Sequence, residues 1–355
     1  MNIAVTAKDR WLAAWPVTSY VDDRWGQHVR VSQEILKTVV FVGVENNGQF
    51  SPVGTGFLIG YPFESYSFNF LATAIHVVDM IASDNIAVRI NKKNGDSTII
   101  YVEKTRIINH SDRKNDIALL PVKPDFVIWD QLSINFERDD FKNRHDIWEP
   151  DIGDEVVTVG LYGTHFGAAR NLPIARIGHI SMMPGEPVLT KAGEIPAYLI
   201  EVRSIAGLSG SPVYCNVPRF DADGGNVRYL LTPAYVPLGM MLGYHLVATA
   251  QDQIQVPNQD GDIPDNLSVD ERNTGFAVVV PFERFFELLE SDPMKKIFRS
   301  SIDDRLKSSK FREAGATPVK TSGIPISIGG DANPSHKEDF TSLLNAAAKT
   351  KPQAD

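Results

Sequence analysis

The chain is built from short apolar runs, rich in β-branched residues, that are separated by glycine, proline, asparagine and aspartate. Six such runs lie between Thr38 and Val122, and six more lie between Glu155 and Val280. Short runs with turn residues between them are typical of antiparallel sandwiches and barrels rather than of alternating strands and helices. We therefore predict an all-β protein.

The two series of strands predict two consecutive domains. Residues 33–125 would form the first domain and residues 154–295 the second. The segment between them, 126–153, carries many acidic residues and is predicted to be a solvated connection.

One helix is expected near the end of the second domain. It follows Pro281, where the sequence FERFFELLES places phenylalanine and leucine side chains on one face. Residues 1–32 are predicted to form an N-terminal extension, and the polar residues 296–355 a mobile tail. The segments Asn216–Arg228 and Ala248–Asn273 carry turn residues and are predicted to be surface excursions.

Charge and cysteine content narrow the possible partners. The chain has 44 acidic and 35 basic residues, a net charge of −9, which argues against binding to nucleic acid or to an anionic membrane. A single cysteine, Cys215, excludes an intrachain disulfide and a zinc site of paired cysteines. The histidines show no metal-binding spacing, and no secretion signal or membrane-spanning run is apparent. We expect a soluble, cytoplasmic protein without metal or cofactor.

Three segments carry residues suited to nucleophilic catalysis. They are Leu71–Asp79 (LATAIHVVD), Asn115–Leu120 (NDIALL) and Gly207–Val213 (GLSGSPV). A serine hydroxyl is a weak nucleophile that needs an adjacent base, and the base needs an orienting carboxylate. Glycines beside a serine let the backbone bend sharply and let main-chain N–H groups approach a developing oxyanion. Each segment has an ordinary structural explanation alone, but together they indicate a catalytic serine.

These segments, in this order, make the chain resemble the trypsin/chymotrypsin-like serine proteases. They are similar to that family's T-A-x-H, D-I-A-L-L and G-x-S-G-x-P motifs. The low cysteine content resembles the bacterial branch that includes HtrA-like enzymes, although no peptide-binding module is recognisable. The strand Gly54–Phe57 (GTGF) and the segment Gly153–Gly160 (GDEVVTVG) are further matches.

The resemblance implies a fold, an activity and a set of site residues. The fold would be two six-stranded antiparallel β-barrels with a C-terminal helix, and the activity hydrolysis of peptide bonds through an acyl-enzyme. Ser209 would be the nucleophile, His76 the general base and Asp116 the carboxylate that orients it. The backbone N–H groups of Gly207 and Ser209 would form the oxyanion hole. Asp112 is a weaker rival for the carboxylate, because no strand follows it directly.

Two residues depart from the family pattern. Leu208 occupies the place where zymogen-type members carry an aspartate that pairs with a newly cut N-terminus, so activation by N-terminal cleavage is not expected. Leu242 falls where many members place a serine that donates to the triad aspartate. Asp116 would then lack one hydrogen-bond donor.

The resemblance also suggests a substrate pocket. Its walls would include Arg203, Met241, Tyr244, His245 and Gly275. A cation at Arg203 would disfavour cleavage after lysine or arginine, and His245 is similar to an element of relatives that cleave after glutamate or glutamine. A solvated loop is an equally good explanation for Arg203 and His245, so the preferred residue stays open.

Two other functions remain open. A protease-fold binding or regulatory module could hold a latent triad until a protein activator docks. A small-molecule esterase could use the same three side chains. In the main hypothesis the partner is a polypeptide substrate.

Overall fold

The computed structural model describes residues 31–136, 149–190, 192–202, 206–223, 226–246 and 273–315, and most of these residues lie in β-strands. The strands of the first half, up to residue 136, are β1 Val39–Asn46, β2 Gln49–Phe63, β3 Tyr66–Ala74, β4 Asn85–Asn91, β5 Ser97–Glu103, β6 Ile108–Asn109, β7 Ile117–Pro121 and β8 Ile134–Asn135. The strands of the second half are β9 Glu155–Gly160, β10 Ile174–Met182, β11 Pro187–Thr190, β12 Gly193–Pro196, β13 Tyr198–Glu201, β14 Pro212–Asp223, β15 Asn226–Leu246 and β16 Asn273–Pro281. The predicted all-β class is confirmed.

The first half forms one eight-stranded sheet. Its hydrogen-bonded order is β5-β4-β1-β2-β3-β7-β6, and β8 pairs with β2 in parallel. Since β5 and β6 stand at the two ends of this order, closure of the sheet into the six-stranded barrel that the resemblance implies stays a prediction. The predicted acidic connection also begins inside this sheet, because Trp129 is buried and β8 is one of the strands. The middle of that connection, 137–148, lies outside the described residues.

The second half contains a closed six-stranded antiparallel barrel. Its strand order is β10-β13-β16-β15-β14-β9, and a separate hairpin is formed by β11 and β12. The closed barrel agrees with the prediction for this half. In the segment Asn216–Arg228, predicted to be a surface excursion, the described residues 216–223 and 226–228 belong to the paired strands β14 and β15. The other predicted excursion, Ala248–Asn273, lies almost wholly outside the described residues.

Four helices accompany the strands among the described residues, α1 Gln33–Leu36, α2 Ile75–Asp79, α3 Glu283–Leu289 and α4 Asp292–Gly315. Helix α3 is the one predicted after Pro281. Helix α4 continues well into the segment predicted to be a mobile tail. It does so because Met294, Ile297, Phe298 and Ile302 follow a helical spacing and are buried. No described helix is long and apolar enough to span a membrane.

The core joins the two halves. Its largest cluster combines residues of the first sheet, such as Phe57 and Leu119, with Val157, Tyr214 and Met240 of the barrel. Because the sheet and the barrel share this apolar interior, segments from both halves meet at their junction. The candidate site lies at that junction.

Candidate active site

His76 lies where strand β3 passes into helix α2. Strand β3 is central in the first sheet and ends at Ala74, whose backbone is still extended. The helix that follows buries Ile75, Val77 and Val78, while the His76 side chain remains 40% exposed. This arrangement anchors the imidazole on a rigid element and leaves one edge of it open.

Asp116 lies beside His76 because strand β7 pairs with β3. The pairing places Ile117 opposite Ala74, and the Ile75 N–H donates to the Asp116 carbonyl oxygen at 3.0 Å. The Asp116 carboxylate accepts from the His76 backbone N–H at 3.0 Å and is also hydrogen-bonded to His76 Nδ1. A proton on Nδ1 satisfies this second contact, so Nε2 is left with the lone pair of a general base.

The backbone of Asp116 is left-handed, with φ 55° and ψ 32°. Asp116 directly follows a 3₁₀ turn, Arg113–Asn115. The rival carboxylate Asp112 caps this turn by accepting from the Lys114 N–H at 3.1 Å. Asp112 therefore helps to form the turn, and Asp116 is the carboxylate that meets His76.

Ser209 lies in a tight loop that leads into strand β14 at Pro212 and is hydrogen-bonded to strand β15. Gly207 and Gly210 have φ values of +100° and +83°, which favour glycine. The Gly210 N–H donates to the Met241 carbonyl oxygen at 2.8 Å, and the Ser211 N–H donates to that of Leu208 at 3.0 Å. These bonds hold the loop against the barrel.

Thr55 links the same loop to the first sheet through hydrogen bonds. Its Oγ1 donates to the Gly207 carbonyl oxygen at 2.6 Å and accepts from the Leu161 N–H at 2.9 Å. Its backbone N–H donates to the Ser209 carbonyl oxygen at 3.0 Å. Thr55 is fully buried, so these contacts are shielded from water. The GTGF motif identifies this strand, but no sequence pattern predicts that Thr55 binds the Ser209 loop.

The His76 helix and the Ser209 loop converge on Gly54. A Cβ atom placed on Gly54 would lie 2.7 Å from Val77 Cγ1 and 3.3 Å from the Ser209 carbonyl oxygen. Only a residue without a side chain lets both segments approach this strand so closely. The structure thus brings the three predicted triad residues to one region, at the junction of sheet and barrel.

The Ser209 hydroxyl is turned toward strand β15. Its Oγ donates to the Leu242 carbonyl oxygen at 3.0 Å. Among the described residues, this carbonyl is the hydrogen-bond partner of Ser209 Oγ. A Cβ atom on the next residue, Gly243, would lie 3.6 Å from the same Oγ. The sequence places Leu242 as a departure from the family, but it does not predict that its backbone oxygen binds the nucleophile.

The backbone N–H groups predicted for the oxyanion hole lie on either side of Leu208. Within the described part of the chain, neither the Gly207 nor the Ser209 N–H donates a hydrogen bond. Leu208 is fully buried in the barrel core, which is the environment that its apolar side chain requires. A leucine here therefore packs the loop instead of forming an ion pair.

Comparison with known proteins gives structural likeness only. No protein-family model and no curated protein matches the chain. Similar solved structures include the MamO protease domain from Magnetospirillum magneticum in its apo form, with 14% identity over 71% of this chain and 96% of that chain, at a TM-score of 0.41. They also include Rv3671c from M. tuberculosis, an inactive mutant, with 18% identity over 72% of this chain and 86% of that chain, at a TM-score of 0.36. Because both the sequence identities and the TM-scores are low, these similarities do not support any role for a residue of the candidate site.

The predicted pocket residues have different positions. Arg203 lies outside the described residues. Met241 is fully buried in the barrel core, and its main chain binds the nucleophile loop. Tyr244 and His245 lie on β15, where Tyr244 pairs with Ala277 of β16. Gly275 accepts from the Val202 N–H at 3.1 Å, and a Cβ atom added to it would meet no atom within 4 Å.

No group of three or more histidine, cysteine, aspartate or glutamate side chains among the described residues has the arrangement of a metal site. The site holds the imidazole of His76 and the carboxylate of Asp116, which are hydrogen-bonded to each other, and the Ser209 hydroxyl, which is hydrogen-bonded to the Leu242 carbonyl oxygen. These groups are suited to proton transfer and nucleophilic attack.

Proposed function

We propose that the protein is a serine endopeptidase that hydrolyses polypeptides through an acyl-enzyme on Ser209. His76 acts as base and then acid, and Asp116 orients the imidazole. The convergence of the His76 helix and the Ser209 loop on Gly54 is the observation that carries this proposal. The support from Asp116 is twofold, because its carboxylate holds both the backbone and the ring of His76.

The reaction begins when the Ser209 hydroxyl turns from the Leu242 carbonyl toward His76 Nε2. Nε2 takes the hydroxyl proton while Oγ bonds to the substrate carbonyl carbon, and the Gly207 and Ser209 N–H groups donate to the oxyanion. The C–N bond then breaks and His76 gives its proton to the leaving amine. A water molecule attacks the acyl-enzyme by the same route and restores Ser209.

A cleft at the C-terminal end of helix α2 is a candidate place for substrate residues beyond the bond that is cut, which would favour a polypeptide over a small ester. The cleft has a volume of about 510 Å³, and its lining includes Val53, Met80 and Tyr101. Val53 precedes Gly54 in β2, and the Met80 N–H donates to the His76 carbonyl oxygen at 3.1 Å. Neither His76 nor Ser209 lines the cleft, so it would receive substrate residues at a distance from the bond that is cut.

A specific contact also supports the second candidate, a latent triad. While Ser209 Oγ donates to the Leu242 carbonyl oxygen, its proton is directed away from His76. Catalytic hydrogen bonds are often incomplete before substrate binds, so this contact is compatible with an active enzyme. It also suits a module that a protein activator switches on by moving strand β15.

The proposal is tested by labelling Ser209 with a fluorophosphonate probe, with and without cell lysate, and by exposing the protein to a proteome-derived peptide library. We expect the wild-type protein to be labelled and to generate new peptide termini. Ser209→Ala and His76→Ala should each lower cleavage by more than about 10⁴-fold, because the residues act as a unit. Labelling only in lysate would favour the latent module. Absence of labelling and of cleavage in both conditions would refute both candidates.

A further inference from the structure

A second histidine, His110, is buried behind the candidate triad. It lies between strand β6 and the 3₁₀ turn Arg113–Asn115, and it is 6% exposed. Its Nδ1 accepts from the Asp112 N–H at 3.0 Å and from Asn115 Nδ2 at 3.1 Å. Its Nε2 lies 3.3 Å from Glu287 Oε2 on helix α3. Both ring nitrogens therefore have partners.

These partners indicate which nitrogen of the His110 ring carries the hydrogen. A backbone N–H and an amide NH₂ can only donate, so Nδ1 carries the lone pair and Nε2 carries the hydrogen that faces Glu287. The Asp112 carbonyl oxygen is also 3.1 Å from Nδ1. That oxygen already accepts from the Asn115 N–H and from Asn115 Nδ2, both at 3.2 Å, so it does not require a ring proton.

The groups that His110 binds form the turn that presents Asp116. Asn115 is the last residue of that turn and is 3% exposed. The next residue, Asp116, has the left-handed backbone that aims its carboxylate at His76, and its N–H donates to the Arg113 carbonyl oxygen at 3.1 Å. An aspartate keeps a left-handed backbone only where contacts with the surrounding structure hold it in that conformation. His110 stabilises this conformation by accepting hydrogen bonds from Asp112 and Asn115 on the inner side of the turn.

Glu287 connects the turn to the C-terminal helix. It accepts from Arg284 at 2.6 Å as well as facing His110, and α3 is fixed by buried Phe285 and Leu289. Glu287 is the charged side chain that faces the imidazole, and Arg284 pairs with Glu287 in turn. The imidazole therefore links a rigid helix to the turn before Asp116.

We propose that His110, with Nδ1 as acceptor and Nε2 as donor, is a positioning residue for Asp116. Its Nδ1 acceptor fixes the turn, and its Nε2–H group ties that turn to helix α3. The inference rests on the proposed function for its effect on catalysis, but the geometry of the His76–Asp116 pair can be measured without catalysis.

Two substitutions of similar polarity separate the two ring nitrogens. His110→Asn places an oxygen acceptor near the position of Nδ1, whereas His110→Gln reaches toward the position of Nε2 and leaves the turn without its acceptor. We expect His110→Gln to lower kcat about 10-fold to 100-fold with KM changed less than about 2-fold, because a small misplacement of a catalytic group is costly. His110→Asn should retain kcat within about 3-fold. Asn91→Leu, a buried change at a site away from the turn, is the control for lost stability alone.

The independent measurement is the downfield proton resonance of the His76 Nδ1–Asp116 hydrogen bond in ¹H NMR of the full chain. We expect this resonance in the wild-type protein and in His110→Asn, and its loss or displacement in His110→Gln. If His110→Gln keeps both kcat and the resonance, or if both variants lose them equally, the positioning role is overturned. If the wild-type protein neither reacts with the probe nor cleaves peptides, the proposed function fails, while the resonance still decides the role of His110.

Discussion

At the scale of single residues, the candidate site depends on backbone conformations that ordinary residues avoid. Asp116 is left-handed, and Gly207, Gly210 and Gly243 all have positive φ. Such a conformation costs a non-glycine residue on the order of 1–3 kcal/mol. Contacts with His76 and with the 3₁₀ turn stabilise the left-handed conformation of Asp116 and offset this cost. At Gly207 and Gly210 the absence of a side chain avoids that cost.

Gly210→Ala tests whether the nucleophile loop needs this close approach. A Cβ atom on Gly210 would lie 2.2 Å from the Thr55 carbonyl oxygen, so the loop must move away from the first sheet. Gly95→Ala is the matched control, because Gly95 has φ +94° but open space around its Cβ position. We expect urea unfolding to show a loss of about 1–2 kcal/mol for Gly95→Ala and a larger loss for Gly210→Ala. Probe labelling of Ser209 should fall only in Gly210→Ala. Equal behaviour of the two variants would show that the loop does not depend on this contact.

At the scale of elements, helix α4 covers one end of the first sheet with an aromatic cluster. Phe298 is fully buried, and its ring centroid lies 4.4 Å from that of Phe68 and 5.1 Å from that of Phe63. Tyr61 and Phe70 complete the cluster. The hairpin of β2 and β3 therefore has a large apolar face that helix α4 covers.

Phe298→Ala should lower the free energy of unfolding by about 3–5 kcal/mol, because it removes a buried ring and leaves a cavity. Leu306→Ala on the same helix is the control, since Leu306 is 43% exposed and its loss should cost less than about 1 kcal/mol. Urea unfolding followed by circular dichroism measures both values. A small effect at Phe298, similar to that at Leu306, would mean that α4 does not contribute to the stability of the first sheet.

The sequence predicts elements well where one pattern dominates. Strand β7 after Asp116 is a continuous apolar run, strand β3 before His76 is mostly apolar from Phe68 onward, and the two strands pair within the sheet. The sequence predicts a polar tail where most of helix α4 lies, because lysines, serines and aspartates surround its few buried residues. It does not predict strands over Asn216–Arg228, because turn-forming residues lie within the long strands β14 and β15. The triad assignment itself stays a prediction, and the contact of Ser209 with Leu242 depends on tertiary packing that no local pattern encodes.

At the scale of the whole molecule, polar contacts accompany the shared core between the two halves. Arg89 of β4 donates to the carbonyl oxygens of Gly167 and Ala168 at 2.8 and 2.6 Å, in the segment between β9 and β10. Asp130 pairs with Lys37 and with Arg170 of that same segment. Burial alone would raise the pKa of Asp130, but the two cations outweigh it and lower that pKa. These polar contacts therefore stabilise the outer part of the junction between sheet and barrel, where the candidate site lies.

Arg89→Lys tests the contribution of the Arg89 contacts to stability while keeping the positive charge. Arg89 is 5% exposed, and its guanidinium lies 5.9 Å from the ring centroid of Phe50 and 5.6 Å from that of Phe166. A lysine cannot reproduce the planar fork that binds two carbonyls and stacks on two rings. We expect a loss of about 2 kcal/mol in the free energy of unfolding. Arg299→Lys, at a side chain 65% exposed, should change it by less than about 0.5 kcal/mol.

The form of the unfolding curve matters as much as its midpoint. Because residues of both halves pack in one apolar cluster, the Arg89→Lys protein should still unfold in a single transition at lower urea concentration. Circular dichroism and intrinsic fluorescence should then report coincident curves. Two separated transitions would show that Arg89, rather than the shared core, couples the sheet to the barrel. In that case a change at Arg89 would also disturb the triad, because His76 and Asp116 belong to one half and Ser209 to the other.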